Sequence, residues 1–233
     1  MTSISANLQA VRARIAGAAK SAGRTPEEVC LLAVSKNWPA ARIREAAACG
    51  HRVFGESYLQ EAIAKIGELS DLDLEWHFIG PVQSNKTRAI AENFAWVHAI
   101  DREKTATRLS DQRPAGMPPL QVCVQVNVSG EKSKSGVAPG EALALAKAVA
   151  VLPNLKLRGL MAIPEAGADP ILTRSRFALL RELQARLAAE GMSVDTLSMG
   201  MSADLEAAIA EGATIVRIGT AIFGEREKLK GHP

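Results

Sequence analysis

Lys36 directly follows the apolar run "VCLLAVS" (29–35), which has the composition of a buried strand. A flexible ammonium group is costly to hold beside a core, so such a lysine either reaches water or is kept inward for chemistry. In a partly desolvated pocket its pKa falls, and the neutral amine can form a Schiff base with a carbonyl compound. Taken alone, Lys36 fits a strand-end lysine that reaches water better than a reactive amine.

Two segments near the end of the chain could bind an anion. "GMSADLEAAI" (200–209) predicts a helix with Ser202 at its N-cap, and "RIGTAIFG" (217–224) places Thr220 beside Gly219, where the backbone can approach a ligand closely. Free N–H groups at such positions bind phosphate well. The alternative is structural, because Ser202 would then only cap a helix and Gly219 would only turn the chain.

Arg217 lies inside the apolar run "TIVRIG" (214–219), so it needs partners that accept hydrogen bonds. They could belong to a ligand, or to a barrel carboxylate in a structural ion pair. His77, in "LEWHFIG" (74–80), is interpreted as a hydrogen-bonded histidine of the interior. The remaining histidines, His51, His98 and His232, have no metal-ligand spacing, so we expect no metal site.

The elements that carry these residues alternate between strand and helix. After an amphipathic N-terminal helix, eight strand-like runs are separated by helical patterns, and they read "VCLLAVS", "RVFG", "LEWHFIG", "AWVHAI", "LQVCVQVNV", "LKLRGLMAI", "VDTLSMG" and "TIVRIG". Gly50, Gly191 and Gly212 stand where helices should end. This order predicts a single α/β domain over 1–233, a (β/α)8 TIM-type barrel with an extra N-terminal helix. A doubly wound sheet is less consistent with the sequence, because no G-x-G-x-x-G follows an early strand.

The composition excludes several function classes. Hydrophobic residues make up 47% of the 233, which is enough for a large core. The aromatic content is 4%, the net charge is +3 and the basic residues are scattered along the chain, which argues against nucleic-acid binding. No apolar run approaches the roughly 20 residues of a membrane span. Three cysteines in apolar patterns, Cys30, Cys49 and Cys123, suggest reduced thiols and hence the cytoplasm. Without an obvious extra apolar stripe on the helices, we expect a monomer.

In a TIM barrel the residues that follow the strands share one mouth, and the loops after the last two strands commonly bind phosphate. Lys36, the phosphate-type segments and Arg217 would therefore meet there. An amine, an anion site and a permanent cation together fit a phosphorylated aldehyde that also has a ring nitrogen. Pyridoxal 5'-phosphate has an aldehyde, a phosphate and a ring nitrogen. A guanidinium beside the pyridine nitrogen disfavours its protonation, so the cofactor would be a poor electron sink.

The sequence resembles the pyridoxal phosphate homeostasis proteins, the YggS/PROSC family. The motifs that carry the resemblance cover nearly the whole chain, in the order "LLAVSK", "VFGESYLQE", "WHFIGPVQSNK", "VNVSGEKSKSG", "GLMAIP", "LSMGMSADLEAAI" and "VRIGTAIFGER". The resemblance implies a barrel like the N-terminal domain of alanine racemase, with pyridoxal phosphate on Lys36 as a Schiff base. Phosphate contacts would fall on Ser202, Gly219 and Thr220, and Met201 would belong to the same cofactor site.

The resemblance also implies that Arg217 approaches the pyridine nitrogen, and that Lys134, which matches the family's "SKSG" lysine, has a secondary role. Two departures from the family pattern stand out. Asn37 and Trp38 occupy the gap where the family commonly has a second lysine, in "SK-x-K-P". Ser57 stands where the family usually has the asparagine of "FGEN", so a cofactor contact carried over to this position is open.

The function implied by the resemblance is to hold pyridoxal phosphate (PLP), to deliver it to PLP-dependent apo-enzymes, and to keep B6 vitamers in balance without established catalytic turnover. One alternative is a single-domain pyridoxal-phosphate-dependent amino-acid racemase. Such an enzyme needs a second proton-transfer residue, and Tyr58, the only tyrosine, is better explained by packing. Another is a barrel lyase that uses Lys36 on sugar substrates without a cofactor.

Overall fold

Eight parallel strands form a closed barrel in sequence order, with helices between them. The computed structural model describes residues 3–131, 134–165 and 167–225. The strands are β1 Cys30–Val34, β2 Val53–Glu56, β3 Glu75–Phe78, β4 Trp96–Ile100, β5 Leu120–Gln125, β6 Leu155–Met161, β7 Thr196–Ser198 and β8 Ile215–Ile218. The predicted TIM-type barrel with its eight strands is confirmed.

Helices cover the outside of the barrel. Within the described residues they are α1 Ile4–Ser21, α2 Ala40–Ala48, α3 Leu59–Glu68, α4 Thr87–Asn93, α5 Glu103–Gln112, α6 Ala142–Ala150, α7 Pro170–Ala189, α8 Leu205–Ala210 and α9 Thr220–Phe223. Helix α1 is the predicted N-terminal helix, and the side chain of Ser3 accepts a hydrogen bond from the Ala6 N–H at its start. None of the helices in these parts of the chain combines the length and apolar character needed to cross a bilayer.

Helix ends and core follow the sequence pattern. Gly50, Gly191 and Gly212 each lie one residue past a helix C-cap with positive φ, at 78°, 83° and 95°, as predicted. Most buried apolar side chains lie between the strands and the surrounding helices in one continuous cluster. A smaller cluster, which includes Leu32, Trp96 and Met161, is separate from it. All three cysteines are free thiols, and burial raises the pKa of Cys30 to about 11 and of Cys123 to about 12, so these two thiols are unreactive.

Closure of the barrel brings the first and last strands together. In the β1–β8 pair, Leu32 lies opposite Arg217 and Ala33 opposite Ile218. Parallel strands put all their carboxyl ends at one mouth, so the residue after β1 and the residues after β8 become neighbours although about 180 positions separate them.

Candidate functional site

Lys36 lies two residues past the end of β1, at the carboxyl mouth of the barrel, and is partly buried. The residue before it, Ser35, is fully buried, and the Ser35 N–H donates to the Gly55 carbonyl at 3.0 Å. The strand-like hydrogen bonding of β1 therefore continues to the residue before Lys36. Its side chain starts from a rigid point on the rim of the barrel.

A buried ion-pair network of Lys65, Glu56 and Glu61 is hydrogen-bonded to this segment. Lys65, on α3, is buried, and its Nζ donates to Glu56 Oε1 at 2.8 Å, to Glu61 Oε1 at 2.5 Å and to the Ser35 carbonyl at 2.8 Å. The Ser35 hydroxyl donates to the same Glu56 oxygen at 2.6 Å. Glu56 is fully buried at the end of β2. Because its charge is paired and hydrogen-bonded, the carboxylate can remain in the interior.

The same network reaches the residue after Lys36. The Asn37 N–H donates to Glu61 Oε1 at 2.6 Å. Asn37 has φ of 65°, a left-handed conformation that asparagine tolerates better than most residues. Both neighbours of Lys36 are thus bound to the Lys65–Glu56–Glu61 network, which limits the directions open to the Lys36 side chain.

Sequence reasoning missed this network, although the helix that carries it held a signal. The buried side of α3 contains Leu59, Ala62 and Lys65, so Lys65 occupies a position that helical spacing assigns to the core. A buried lysine requires a carboxylate partner, and Glu61 is one helical turn away. Its second partner, Glu56, could not be identified from helix spacing.

Burial raises the pKa of Glu56 because it disfavours the charged form, and the Lys65 hydrogen bond acts in the opposite direction. Within the described residues, the second oxygen of this carboxylate, Oε2, is buried without a hydrogen-bond partner. Such an atom is costly to leave unpaired. The carboxyl end of β2 therefore offers a buried acceptor between the barrel and α3.

Trp38, at one of the two positions that depart from the family pattern, packs against the last helix. Its ring lies 6.0 Å from the Phe223 ring in α9, and the backbone N–H of Trp38 donates to the Ser35 carbonyl at 3.0 Å. The Arg42 guanidinium lies over the same ring, 5.9 Å from its centroid. An aromatic side chain here joins the loop after Lys36 to α9.

Ser202 does not cap α8, so that prediction is wrong. The helix starts at Leu205 with Asp204 as N-cap, because the chain makes a separate turn first, in which Asp204 Oδ1 accepts the Met201 N–H at 2.5 Å. The partly buried Ser202 hydroxyl instead accepts the N–H of Ala221, in α9, at 3.4 Å. Ser202 thus joins the loop after β7 to α9, and Met201 beside it is 37% exposed.

Gly219 and Thr220 begin a short helix that was not predicted. Gly219 is the N-cap of α9, and Thr220, its first residue, is exposed. A Cβ added at Gly219 would lie 3.2 Å from the Val34 carbonyl oxygen, so glycine permits the close approach of β8 to β1. The first N–H groups of a helix lack partners within it. The Ser202 contact with Ala221 brings Ser202, Gly219 and Thr220 together at the mouth, next to β1.

Arg217 is buried inside β8, as predicted. One terminal nitrogen, Nη1, donates to Ser198 Oγ at 2.8 Å and the other, Nη2, donates to the Ala162 carbonyl at 2.9 Å. No ion pair among the described residues includes Arg217, so the alternative of an adjacent barrel carboxylate is wrong. Burial lowers the pKa of Arg217 to about 10, which leaves it a cation near neutral pH.

Lys134 and Ser57 lie elsewhere around the mouth. Lys134 follows β5, across the barrel from Lys36, and lines a cavity of about 200 Å³ with Gln125, Ile79 and Ile163 among others. Its ammonium group is 3.6 Å from Glu131, and its side chain is 26% exposed. Ser57 is partly buried beside Gly80, where an added Cβ would lie 2.9 Å from the Ser57 Cα. The structure does not bring Lys134 beside Lys36.

The remaining candidates have structural surroundings. His77 is buried and hydrogen-bonded to His98 and Glu75, which confirms the interpretation of an interior histidine. In the described ranges no group of three or more acidic, histidine or cysteine side chains could hold a metal ion. His232 lies outside the described residues. Tyr58 is the N-cap of α3 and is 52% exposed, so its predicted packing role is wrong.

Comparison with known proteins gives one consistent result. The protein-family model described as "Alanine racemase, N-terminal domain" matches residues 6–227. A "Pyridoxal phosphate homeostasis protein" of Pseudomonas aeruginosa is 64% identical over 227 residues, covering 97% of each chain. A protein of the same description from Escherichia coli is 53% identical over 236 residues, covering 99% of this chain and all of the other.

Among solved structures, PipY of Synechococcus elongatus, solved with PLP bound, is 40% identical with a TM-score of 0.83. The match covers 95% of this chain and 100% of PipY.

Proposed function

Because the chain belongs to the family of pyridoxal phosphate homeostasis proteins, whose barrel is that of the alanine racemase N-terminal domain, we propose that it binds pyridoxal 5'-phosphate and holds it for delivery. This proposal depends on one observation: an amine, two segments that could bind phosphate and a buried guanidinium all belong to neighbouring strands at the same mouth of the barrel. Lys36 follows β1, the Ser202 and Gly219 segments follow β7 and β8, and the buried Arg217 lies in β8 between them.

In this proposal each group of the ligand has one partner in the barrel. Lys36 would hold the aldehyde as a Schiff base, and Arg217 would face the ring nitrogen. Ser202, Gly219 and Thr220 would hold the phosphate at the start of α9, with Met201 beside them. The residues fit the cofactor, because the buried guanidinium bonds only to neutral groups among the described residues, and the first N–H groups of α9 have no partner within that helix.

We propose storage and delivery over catalysis because of the charge at Arg217. Pyridoxal phosphate supplies an electron sink when its ring nitrogen is protonated, and a permanent cation at that position opposes protonation. A racemase also needs a second proton-transfer group, and Tyr58 is an exposed residue at the start of α3. We propose that residues 1–233 act as one monomeric, cytoplasmic binding domain, and that PLP-dependent apo-enzymes are its recipients.

We expect the purified protein loaded with pyridoxal phosphate to be yellow, and borohydride followed by peptide mapping to place the cofactor on Lys36. Lys36→Ala should lose the visible absorbance, because the proposal places the aldehyde on this amine alone. Lys147→Ala is the matched control, since Lys147 is 53% exposed on α6 and pairs with Glu190. A colourless loaded protein, or label on another lysine alone, contradicts the proposal.

The racemase alternative makes a different prediction for the same preparation. We expect incubation of the loaded protein with L-alanine in deuterated buffer to give no sustained exchange at the α-carbon, as followed by proton NMR. Continuous exchange over many turnovers would show that the barrel is an enzyme. Label retained on Lys36 together with that exchange would leave the binding site correct and the delivery role wrong.

A further inference from the structure

A chain of hydrogen bonds crosses the inside of the barrel from Arg217 to the opposite mouth. Arg217 Nη1 is 2.8 Å from Ser198 Oγ, and that oxygen is 2.8 Å from His98 Nδ1. His98 Nε2 is 2.9 Å from His77 Nδ1, and His77 Nε2 is 2.8 Å from Glu75 Oε1. The five residues lie on β8, β7, β4 and β3, so the chain spans the barrel.

Both ends of this chain require the same direction of donation. A guanidinium can only donate, so Ser198 Oγ accepts from Arg217 and its own hydrogen is free to go to His98 Nδ1. His98 then carries its hydrogen on Nε2 and donates it to His77 Nδ1. His77 likewise carries its hydrogen on Nε2 and donates it to Glu75, whose ionised carboxylate can only accept. Every group has the partner it needs without an extra proton.

The burial of the chain favours this neutral arrangement of the histidines. Burial lowers the pKa of His77, and it holds the pKa of His98 well below its ordinary range. The hydrogen bond from His77 lowers the pKa of Glu75, whose side chain is 48% exposed. The two charges therefore stand at the ends, with the Arg217 cation inside and the Glu75 anion at the rim.

We propose that Glu75 is the remote counter-charge of Arg217, and that Ser198, His98 and His77 are positioning residues that connect the two. A buried guanidinium with an adjacent carboxylate would place that carboxylate beside the ligand of Arg217 as well. The relay, as we name the path from Arg217 to Glu75, keeps the anion at the far mouth while it orients the cation. The effect of the relay on the ring nitrogen of bound pyridoxal phosphate rests on the proposed function.

Arg158, which lines the same cavity as Glu75, already has a carboxylate partner. Arg158 forms a bidentate pair with Asp195 and lies over the Trp96 ring, 5.1 Å from its centroid. The same ring stacks on His77 at 5.2 Å between centroids. Glu75, Trp96 and Arg158 border a cavity of about 510 Å³ at this mouth, which gives the end of the relay access to solvent.

The direction of the relay can be tested without any cofactor. In the labelled protein, long-range proton–nitrogen NMR reports which imidazole nitrogens carry hydrogen. We expect the Nδ1 atoms of His77 and His98 to be unprotonated and both Nε2 atoms to be protonated. A hydrogen on either Nδ1, which includes the doubly protonated form, would overturn the relay even if pyridoxal phosphate binds as proposed.

Two variants test the connection between the ends. Glu75→Gln removes the charge while its amide oxygen can still accept from His77, and Ser198→Ala breaks the path next to Arg217. We expect Glu75→Gln to move the His98 nitrogen resonances and Ser198→Ala to mix the His98 tautomers. In the loaded protein, Ser198→Ala should weaken cofactor binding about 10-fold and shift the visible absorbance, with a smaller change for Glu75→Gln.

Glu27→Gln is the control, because Glu27 is exposed at the same mouth in the segment before β1. If Glu75→Gln shifts the His98 nitrogen resonances no more than Glu27→Gln does, Glu75 is not the counter-charge and the inference fails. If Ser198→Ala does not fold, Glu75→Gln and the tautomers of the unchanged protein still decide the question. Correct tautomers in a protein that binds no pyridoxal phosphate would support the relay and reject the proposed function.

Discussion

Lys65→Met is expected to lower the free energy of unfolding by about 3–5 kcal/mol at pH 7, the cost of leaving a buried charge without its partner. Methionine retains an apolar chain of similar length, so the loss comes mainly from the ammonium group. Glu56 is fully buried and would keep only the Ser35 hydroxyl on its Oε1. Urea unfolding followed by circular dichroism measures the change.

The loss should be smaller at pH 5 than at pH 7. Burial raises the pKa of Glu56 above its ordinary value of 4.5, and the Lys65 hydrogen bond opposes this. Without Lys65 the pKa rises further, so the folded variant binds a proton more tightly than the unfolded chain does. Its stability is therefore retained below pH 4.5 and is lost as the pH rises through the folded-state pKa.

Lys147→Met is the matched control for this prediction. Lys147 pairs with Glu190 at 2.7 Å, but both side chains are about half exposed, so we expect a change of about 0–1 kcal/mol. A Lys65→Met protein as stable as this control at pH 7 would show that the network contributes little. A loss of equal size at pH 5 and pH 7 would instead assign it to packing.

Gly159→Ala is expected to destabilise the barrel by about 4 kcal/mol or more, or to prevent folding, since such values accompany forced changes in a packed core. A Cβ at Gly159 in β6 would lie 2.8 Å from the Thr196 carbonyl carbon in β7 and closer still to its oxygen. The obstacle is backbone, so no side chain can rotate away. The β5–β6 register also shifts here, where Val122 pairs with Leu157 but Cys123 with Gly159.

Gly17→Ala provides the comparison, measured by the same urea unfolding. Gly17 lies inside α1, and an added Cβ there meets no atom within 4 Å. Alanine is the better helix former, so this variant should gain about 0.5–1 kcal/mol. A Gly159→Ala barrel within 1 kcal/mol of the unchanged protein would mean that β6 and β7 can separate at little cost.

The strands and the principal helix ends could be predicted from the sequence because their signals are local. Apolar runs of strand length alternate with helical patterns, and a glycine such as Gly50 or Gly191 follows the helix that it ends. Arg217 was predicted to be buried for the same reason, since its neighbours in "TIVRIG" are apolar. Local pattern also placed Lys36 at the end of a strand.

Local pattern was insufficient where the partner comes from another strand. Ser202 was predicted to cap the helix after β7, but its hydroxyl accepts the Ala221 N–H in α9, and the cap is Asp204. Lys65 was not singled out from the sequence, and its partner Glu56 lies on a different element. In both cases the competing hydrogen bond forms only when neighbouring elements of the barrel pack together.

The sequence by itself determined the order of the strands, the burial of Arg217 and the position of Lys36 after β1. Only the tertiary structure decided which groups meet. His98 and Ser198 are 100 residues apart in sequence, and their hydrogen bond depends on how the barrel closes and on the register of its strands. Hydrogen bonds act over about 3 Å, so residues that are distant in the chain become partners only when closure brings their strands within that distance.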